Sequence, residues 1–425
     1  MKLGLKIFGS ELWNGDHHPL VLGWREDQLT ALVKLLAPLL PCDLAPGMRY
    51  AIAACARSLV VDTGLSAGRP LRFSRRKEHY RGPKRYRHIA PYYSWHYVTH
   101  AMDILCQTEL IGQDLGVWGG GRQSVAWPSE RLMCLLEPEI DFSEQRVVPH
   151  LVETVVLRDR NDKQLIDYRD TAETEQMRVQ VQLLNDHLQH LRLFLRGESF
   201  PIPWLRRIFN GDFNRGGRFY CLGDSYQNIP SHERRNLQLL IEGVLHPIVE
   251  IDYVNLHPVM AYAEADLPMP PGDQYDIDGF DRLVVKRAFN VLLNAPARHK
   301  AVAALTEDLH IKDDELWRHS GLSTRYRAEC RPFVEKAVAA VEEKHHQIVA
   351  FFGSDCGAAY QRRDSEMAVR VMIRVLQQTG RCPLPMHDSF LVAGIDREVL
   401  AATMQQVALE EALPLSLKES GSLRA

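Results

Sequence analysis

No stretch of this 425-residue sequence approaches the run of about 20 apolar residues that a bilayer-spanning helix requires, so no membrane is expected as a partner. No secretory n-region and h-region opens it. The eight cysteines (Cys42, Cys55, Cys106, Cys134, Cys221, Cys330, Cys356, Cys382) form no Cys-x-x-Cys pair and no zinc-finger spacing. A reduced, cytoplasmic setting is therefore expected. The formal net charge is only −3, which excludes a uniformly basic protein and requires any nucleic-acid surface to be local. Internal repeats and low-complexity tracts are absent too.

The length suits two or three domains with real cores. Residues 1–68 are expected to be a helical N-terminal region. Leu29, Leu32, Leu35 and Leu36, then Tyr50 to Val61, keep helical spacing on either side of the break at Pro46-Gly47. From residue 69 the character changes. Arg69, Arg72, Arg75, Arg76, Lys77, Arg81, Lys84, Arg85 and Arg87 are opposed locally only by Glu78, with Phe73, Tyr80 and Tyr86 among them. Cations mixed with aromatics suit phosphate contacts and base stacking. The patch runs into an amphipathic helix over roughly Ser94 to Thr108, then Leu110-Ile111-Gly112, a glycine-rich tip ending at Arg122, and Val125-Ala126-Trp127. Helix, strand, tip and returning strand is the layout of a winged helix, expected over 69–150 with Arg122 on the wing. The competing reading of these residues is a solvated basic face on an α+β domain. His96 and His100 stand at i, i+4 without a third ligand, so no metal site is expected there.

Residues 151–204 read as a strand pair and a long thumb-like helix. The strands are Glu153–Leu157 and Gln164–Tyr168, around the turn Arg160-Asn161-Asp162. The helix starts at an N-cap Asp170 with Glu173 three residues on, continues through Met177, Leu184, Leu188, Leu191 and Leu195, and stops at Gly197.

Two aspartates carry the chemistry. Asp252 closes the apolar run Ile248-Val249-Glu250-Ile251, and Asp388 sits in Leu384-Pro385-Met386-His387-Asp388-Ser389-Phe390. Both read as strands delivering a carboxylate to a sheet edge, the pairing that two Mg²⁺ ions need.

Further blocks lie before and between them. From Gly217 the chain reads Gly-Arg-Phe-Tyr-Cys-Leu-Gly-Asp-Ser-Tyr-Gln-Asn-Ile-Pro to Pro230, with Arg234 and Arg235 just beyond. This resembles the palm entry of family A DNA polymerases. The resemblance implies that Arg218 contacts the primer end and incoming nucleotide from the minor groove, with Gln227 and Asn228 in the same binding set. Glu250 to Pro258 resembles motif A, which implies that Asp252 holds both metals. Tyr253 joins the nucleotide-binding set, the backbone carbonyl of Ile251 or Tyr253 completing a metal's shell. Where the family has a glutamate that blocks a ribose 2′-hydroxyl, this chain has His257. Imidazole has the bulk of a gate and can also hydrogen-bond a hydroxyl, so sugar choice is open.

Arg282 to Ala295 resembles motif B. On a helix Arg282, Lys286 and Asn290 fall at i, i+4 and i+8, one face that can meet a triphosphate. The resemblance gives Lys286 the phosphate grip and protonation of leaving pyrophosphate, with Arg282 beside it. Asn290 and Asn294 replace the family's aromatic and Tyr-Gly, residues that stack on the templating pair. Met386-His387-Asp388-Ser389-Phe390 resembles motif C, with His387 supporting its geometry or the primer terminus. Family A DNA polymerases mostly have His-Asp-Glu there, whereas His-Asp-Ser-Phe is similar to single-subunit RNA polymerases.

The resemblance spans Arg206 to about Leu413 in four ordered blocks. It implies an α+β fold over 205–425, a right-hand polymerase palm with an antiparallel sheet and compact helical fingers at about 268–350. The implied function is a nucleotidyltransferase, a small DNA polymerase using two Mg²⁺, with Mn²⁺ as substitute. Expected partners are a DNA or RNA template-primer, nucleoside triphosphates and an accessory protein for processivity. No acidic cluster upstream suits a proofreading exonuclease. An RNA polymerase or primase on the same palm is the second reading, and a catalytically inactive nucleic-acid-binding protein derived from it the third.

Overall fold

The structure, a computed structural model, describes residues 18–19, 22, 24, 26–65, 70–80, 83–87, 92–116, 124–140, 153–200, 202, 204–221 and 225–420. The chain divides into two units. The first comprises Met1–Gln189, Ile202–Arg206 and Tyr220–Asn228, and the second His190–Pro201, Arg207–Phe219 and Ile229–Ala425.

The first unit contains β1 (His18–Pro19), α1 (Glu26–Leu36), α2 (Pro46–Leu65), β2 (Leu71–Phe73), α3 (Lys84–Arg87), α4 (Trp95–Gln107), β3 (Ile111–Asp114), β4 (Ser124–Pro128), α5 (Glu130–Leu136), β5 (Val155–Arg158) and α6 (Ala172–Leu188). Helix α2 is alanine-rich and is buried on all sides from Ala51 to Thr63, with Arg57, Ser58, Asp62 and Thr63 buried beside its apolar residues; Ala51, Ile52, Cys55, Leu59 and Val60 are each 0% exposed. Helices α1, α4 and α5 share its core. The expected helix at Ser94–Thr108 is α4, capped by Ser94 Oγ, which accepts from Tyr97 N–H. A four-stranded sheet of order β1-β2-β4-β3 completes the unit, so β3 and β4 form the expected returning pair. The tip between them, with Arg122, lies outside the described residues.

Three expectations for 151–204 need correction. Thr171, not Asp170, is the N-cap of α6; its side chain and that of Thr174 form the reciprocal capping pair. The helix ends at Leu188, although Leu191 and Leu195 keep its spacing. Arg192–Leu195 instead forms strand β6, turned at Arg196-Gly197, both at positive φ (54° and 84°), into β7 (Glu198–Phe200). Gln164–Tyr168 is not a strand; it makes a single bridge, Arg158 with Leu165.

The second unit continues with α7 (Ser231–Arg234), β10 (Leu237–Ile241), β11 (Val244–Tyr253), α8 (Leu256–Glu264), α9 (Arg282–Asn294), α10 (Arg298–Glu307), α11 (Asp314–Ser320), α12 (Arg327–Lys344), α13 (Gly357–Thr379), β12 (Leu384–Met386), β13 (Ser389–Ala393), α14 (Arg397–Glu410) and β14 (Leu417–Ser420). Before them, β8 (Leu205–Asn210) and β9 (Asp212–Cys221) are neighbours in a sheet, and their stretch Arg207–Phe219 belongs to this unit. Strands in the order β12-β13-β11-β10-β6-β7 form a sheet, with β14 also on β11; these pairings are antiparallel. Helix α13 buries Met367, Ala368, Val371, Met372, Val375 and Leu376 as one stripe and stops at Gly380, whose φ of 71° is the left-handed C-cap. Helices α9 to α12 occupy the segment expected to be fingers.

Candidate active site

Antiparallel register brings the two aspartates together. Asp252 near the end of β11 is opposite Ser389, the first residue of β13, and Asp388 precedes Ser389 in the two-residue turn from β12. Tyr253 N–H donates to Asp388 O at 3.4 Å. His387 takes a φ of 68° in that turn, a conformation rare for residues other than glycine and costly without surrounding support.

Burial, then the negative charge of Asp388, pushes the Asp252 carboxyl up to about 7; the ammonium groups of Lys286 and Lys418 work against that rise. Lys418 faces Asp252 from β14. Asp252 Oδ1 is buried with no hydrogen-bond partner among the described residues. A carboxylate oxygen left in that state beside a second carboxylate fits a divalent cation. Among the described residues no group of three or more His, Cys, Asp or Glu side chains converges as a metal cluster. Burial, with the Arg218 charge adding to it and Asp388 and Asp364 opposing, pulls the His387 imidazole below its ordinary range.

Helix α9 starts at Asp281, whose side chain accepts from Leu283 N–H. The helix directs Arg282 and Lys286 over the ring of Tyr275, 5.2 and 6.0 Å from its centroid. Arg282 is also paired with Asp273. Burial raises the Tyr275 hydroxyl well above its ordinary range, the Arg282 charge opposing and the nearby Asp388, Asp273 and Asp252 adding to the rise. Tyr275 is thus near both the cations and the aspartates, a placement the sequence did not reveal. Farther along α9, Asn294 Nδ2 donates to Asn290 O at 2.7 Å, which folds that amide onto its own helix. Asn290 and Asn294 line a cavity of about 470 Å³ with Arg287, Val291 and Lys300.

Arg218 does not stand alone. It pairs with Asp364 of α13, whose side chain is 1% exposed, Nε donating to Oδ2 at 2.9 Å. His257 Nε2 lies 3.1 Å from both Arg218 Nη2 and Asp364 Oδ2; protonated it donates to the carboxylate, unprotonated it accepts from the guanidinium. Glycine is required next door. Gly217 has a φ of 85°, and a Cβ there would stand 2.5 Å from the Phe209 ring and 3.0 Å from Ser365 Oγ. Buried Arg207 fixes this approach by donating to Gly217 O and Ser365 Oγ, each at 2.8 Å.

The other expected residues are placed as follows. Tyr253 is 3% exposed and donates its hydroxyl to Met404 O, so its side chain belongs to the core and only its backbone is offered to the aspartates. Gln227 and Asn228 belong to the first unit, where Gln227 Oε1 accepts from Cys221 N–H and Asn228 Oδ1 from Ser225 Oγ.

In the expected basic patch, Arg72, Arg76 and Lys77 are exposed. Arg75 is held two-pronged by Asp103. Arg85 is only 15% exposed and pairs with Glu153, Asp167 and Asp170, so it is a structural cation and not an open phosphate contact. Arg81 lies outside the described residues, as do the side chains of Lys84 and Arg87.

No protein-family model matches this sequence, and no curated protein matches it. Among solved structures, the POL domain of Pol1 from M. smegmatis, in complex with DNA primer-template and dNTP, is similar over 59% of this chain. The identity is 15% and the TM-score 0.28, and this chain spans about half of that one, 51% of its length. Among the described residues no helix is long and apolar enough to cross a membrane.

Proposed function

We propose that the second unit is the catalytic core of a nucleotidyltransferase that extends a nucleic-acid 3′ end, and that its product is DNA. The observation that carries this reading is the register of β11 on β13, with Asp252 and Asp388 adjacent and the first carboxyl raised by burial and then by the charge of the second. Asp252 and Asp388 would hold Mg²⁺, or Mn²⁺ in its place. Bound there, the cations would make a 3′-hydroxyl a better nucleophile and offset charge on the triphosphate.

The chain's own residues do the remaining work. Lys286 and Arg282 present two positive charges from one face of α9 to the phosphates. Arg218, oriented by Asp364, would present its guanidinium to minor-groove acceptors. His387, next to Asp388 and at positive φ, would shape the turn. Exposed Arg72, Arg76 and Lys77 of the first unit supply phosphate contacts, and the β2-β4-β3 order with α4 suits a winged helix. A partner protein would supply processivity.

Synthesis of RNA is the second reading, favoured by Ser389 after Asp388 and by an imidazole at 257. An extension assay with primed and unprimed templates, dNTPs against rNTPs, with and without Mg²⁺, separates the two. Primer-dependent DNA products support the proposal, and primer-independent RNA replaces it with the second reading. Absence of any product leaves the inactive, nucleic-acid-binding reading and ends the catalytic one.

A further inference from the structure

Glu250 is two residues before Asp252 on β11, so both side chains emerge on one face of the strand. The register that sets Asp252 opposite Ser389 makes Glu250 the diagonal neighbour of Ser389, within reach across the strand pair. The contact is made: Ser389 Oγ donates to Glu250 Oε1 at 2.8 Å.

The far side of Glu250 is also fixed. Arg234 grips the carboxylate with two prongs, Nε to Oε2 at 3.1 Å and Nη2 to Oε1 at 3.1 Å, and its Nη1 donates to Ile229 O at 2.9 Å. Both partners of this ion pair are largely buried, 13% and 16% exposed. A two-pronged guanidinium holds a carboxylate in one plane and offsets its charge. That matters beside Asp252 and Asp388, where a third unopposed carboxylate would add repulsion.

We propose that Glu250 is a positioning residue of the candidate metal site, acting through Ser389 to hold the Asp388 turn against Asp252. The inference rests on the proposed role of the two aspartates. Ile229, Arg234, Glu250 and Ser389 form a continuous hydrogen-bonded chain ending one residue from Asp388. The turn is thereby tied twice to β11, by Tyr253 N–H to Asp388 O in the main chain and by Ser389 to Glu250 in the side chains. The side-chain tie restrains the residue that follows Asp388, and His387 on the other side already spends conformational energy at positive φ. Removing it lets the carboxylate swing away without unfolding the sheet.

Mn²⁺ titration of the full-length protein without nucleic acid, read by electron paramagnetic resonance of the free ion, tests the idea alongside thermal melting. Supporting residues behind a metal's ligands change affinity by about 10- to 100-fold. Glu250→Ala and Ser389→Ala are each expected to weaken Mn²⁺ binding about tenfold while the cation-free protein still melts cooperatively. Glu250→Gln keeps an acceptor for Ser389 and should stay within about threefold of wild type.

Three outcomes overturn the proposal. Mn²⁺ affinity unchanged in both Glu250→Ala and Ser389→Ala means the contact is structural only. Glu250→Gln as weak as Glu250→Ala means that Glu250 is itself a ligand. Mn²⁺ affinity unchanged in Asp252→Asn removes the aspartate site, and the proposed function with it. Should Glu250→Ala fail to fold, Ser389→Ala reads the other end of the same bond.

Discussion

Arg218 of β9 and Asp364 of α13 form a buried ion pair, and His257 of α8 leans on both partners. Three segments widely separated in sequence are therefore joined by one carboxylate. Removing one partner of such a pair leaves a charge buried without compensation, which costs about 3 kcal/mol or more. Asp364→Ala should lower stability by that order in a denaturant melt. Because the two residues share the loss, Arg218→Ala with Asp364→Ala should cost clearly less than the sum of the single variants. Strict additivity would show that the pair contributes nothing jointly.

The carboxyl of Asp252, raised to about 7 in the fold against a usual 3.8, binds its proton more tightly folded than unfolded. Stability contributed at low pH is thus lost as pH rises from about 4 through 7. Without divalent cations, Asp252→Asn should melt above wild type at pH 8, and the gap should shrink toward pH 5. Adding Mn²⁺ should raise the melting temperature of wild type only. A gap that widens on acidification contradicts this placement of Asp252.

Gly217 and Gly380 both take positive φ, but only Gly217 meets neighbours. Gly217→Ala should destabilise by about 2 kcal/mol or more, since strain and the Phe209 and Ser365 contacts add. Gly380→Ala, in open space, should cost about 1 kcal/mol. Equal losses in urea melts would mean that the close approach at Gly217 is relaxed in solution.

The two classes of basic residue in the first unit should separate by salt dependence. Neutralising Arg72, Arg76 and Lys77 together should reduce the slope of log affinity against log salt by up to about 0.9 per lost phosphate contact. Arg85→Gln should leave the slope alone and lower stability, because Arg85 already holds Glu153 and Asp170. A reduced slope in Arg85→Gln would make it a phosphate contact after all.

Local pattern carried much of this architecture. Apolar runs ending in Asp252 and Asp388 announced β11 and the β12–β13 turn, and Ser94 and Gly380 marked helix ends. What stayed hidden depended on contacts remote in sequence. Leu191 and Leu195 fitted a helix, but the helix stops at Leu188, and the Arg196-Gly197 turn and pairing with β10 make Leu195 part of a hairpin. Arg85 looked open because its acidic partners Glu153, Asp167 and Asp170 follow 68, 82 and 85 residues later. Asp364 under Arg218, and Glu250 against Ser389, follow from register and helix docking, which spacing along one chain does not encode. The alternation of Glu250 with Asp252 on one strand face was the one available hint.

Single-nucleotide incorporation on a primed template decides whether Asp252 and Asp388 form a reaction centre. Asp252→Asn and Asp388→Asn should each cut the Mg²⁺-dependent rate by at least about 10³, roughly 4 kcal/mol in the barrier, with template-primer affinity largely kept. Incorporation at the wild-type rate in either variant would contradict the assignment.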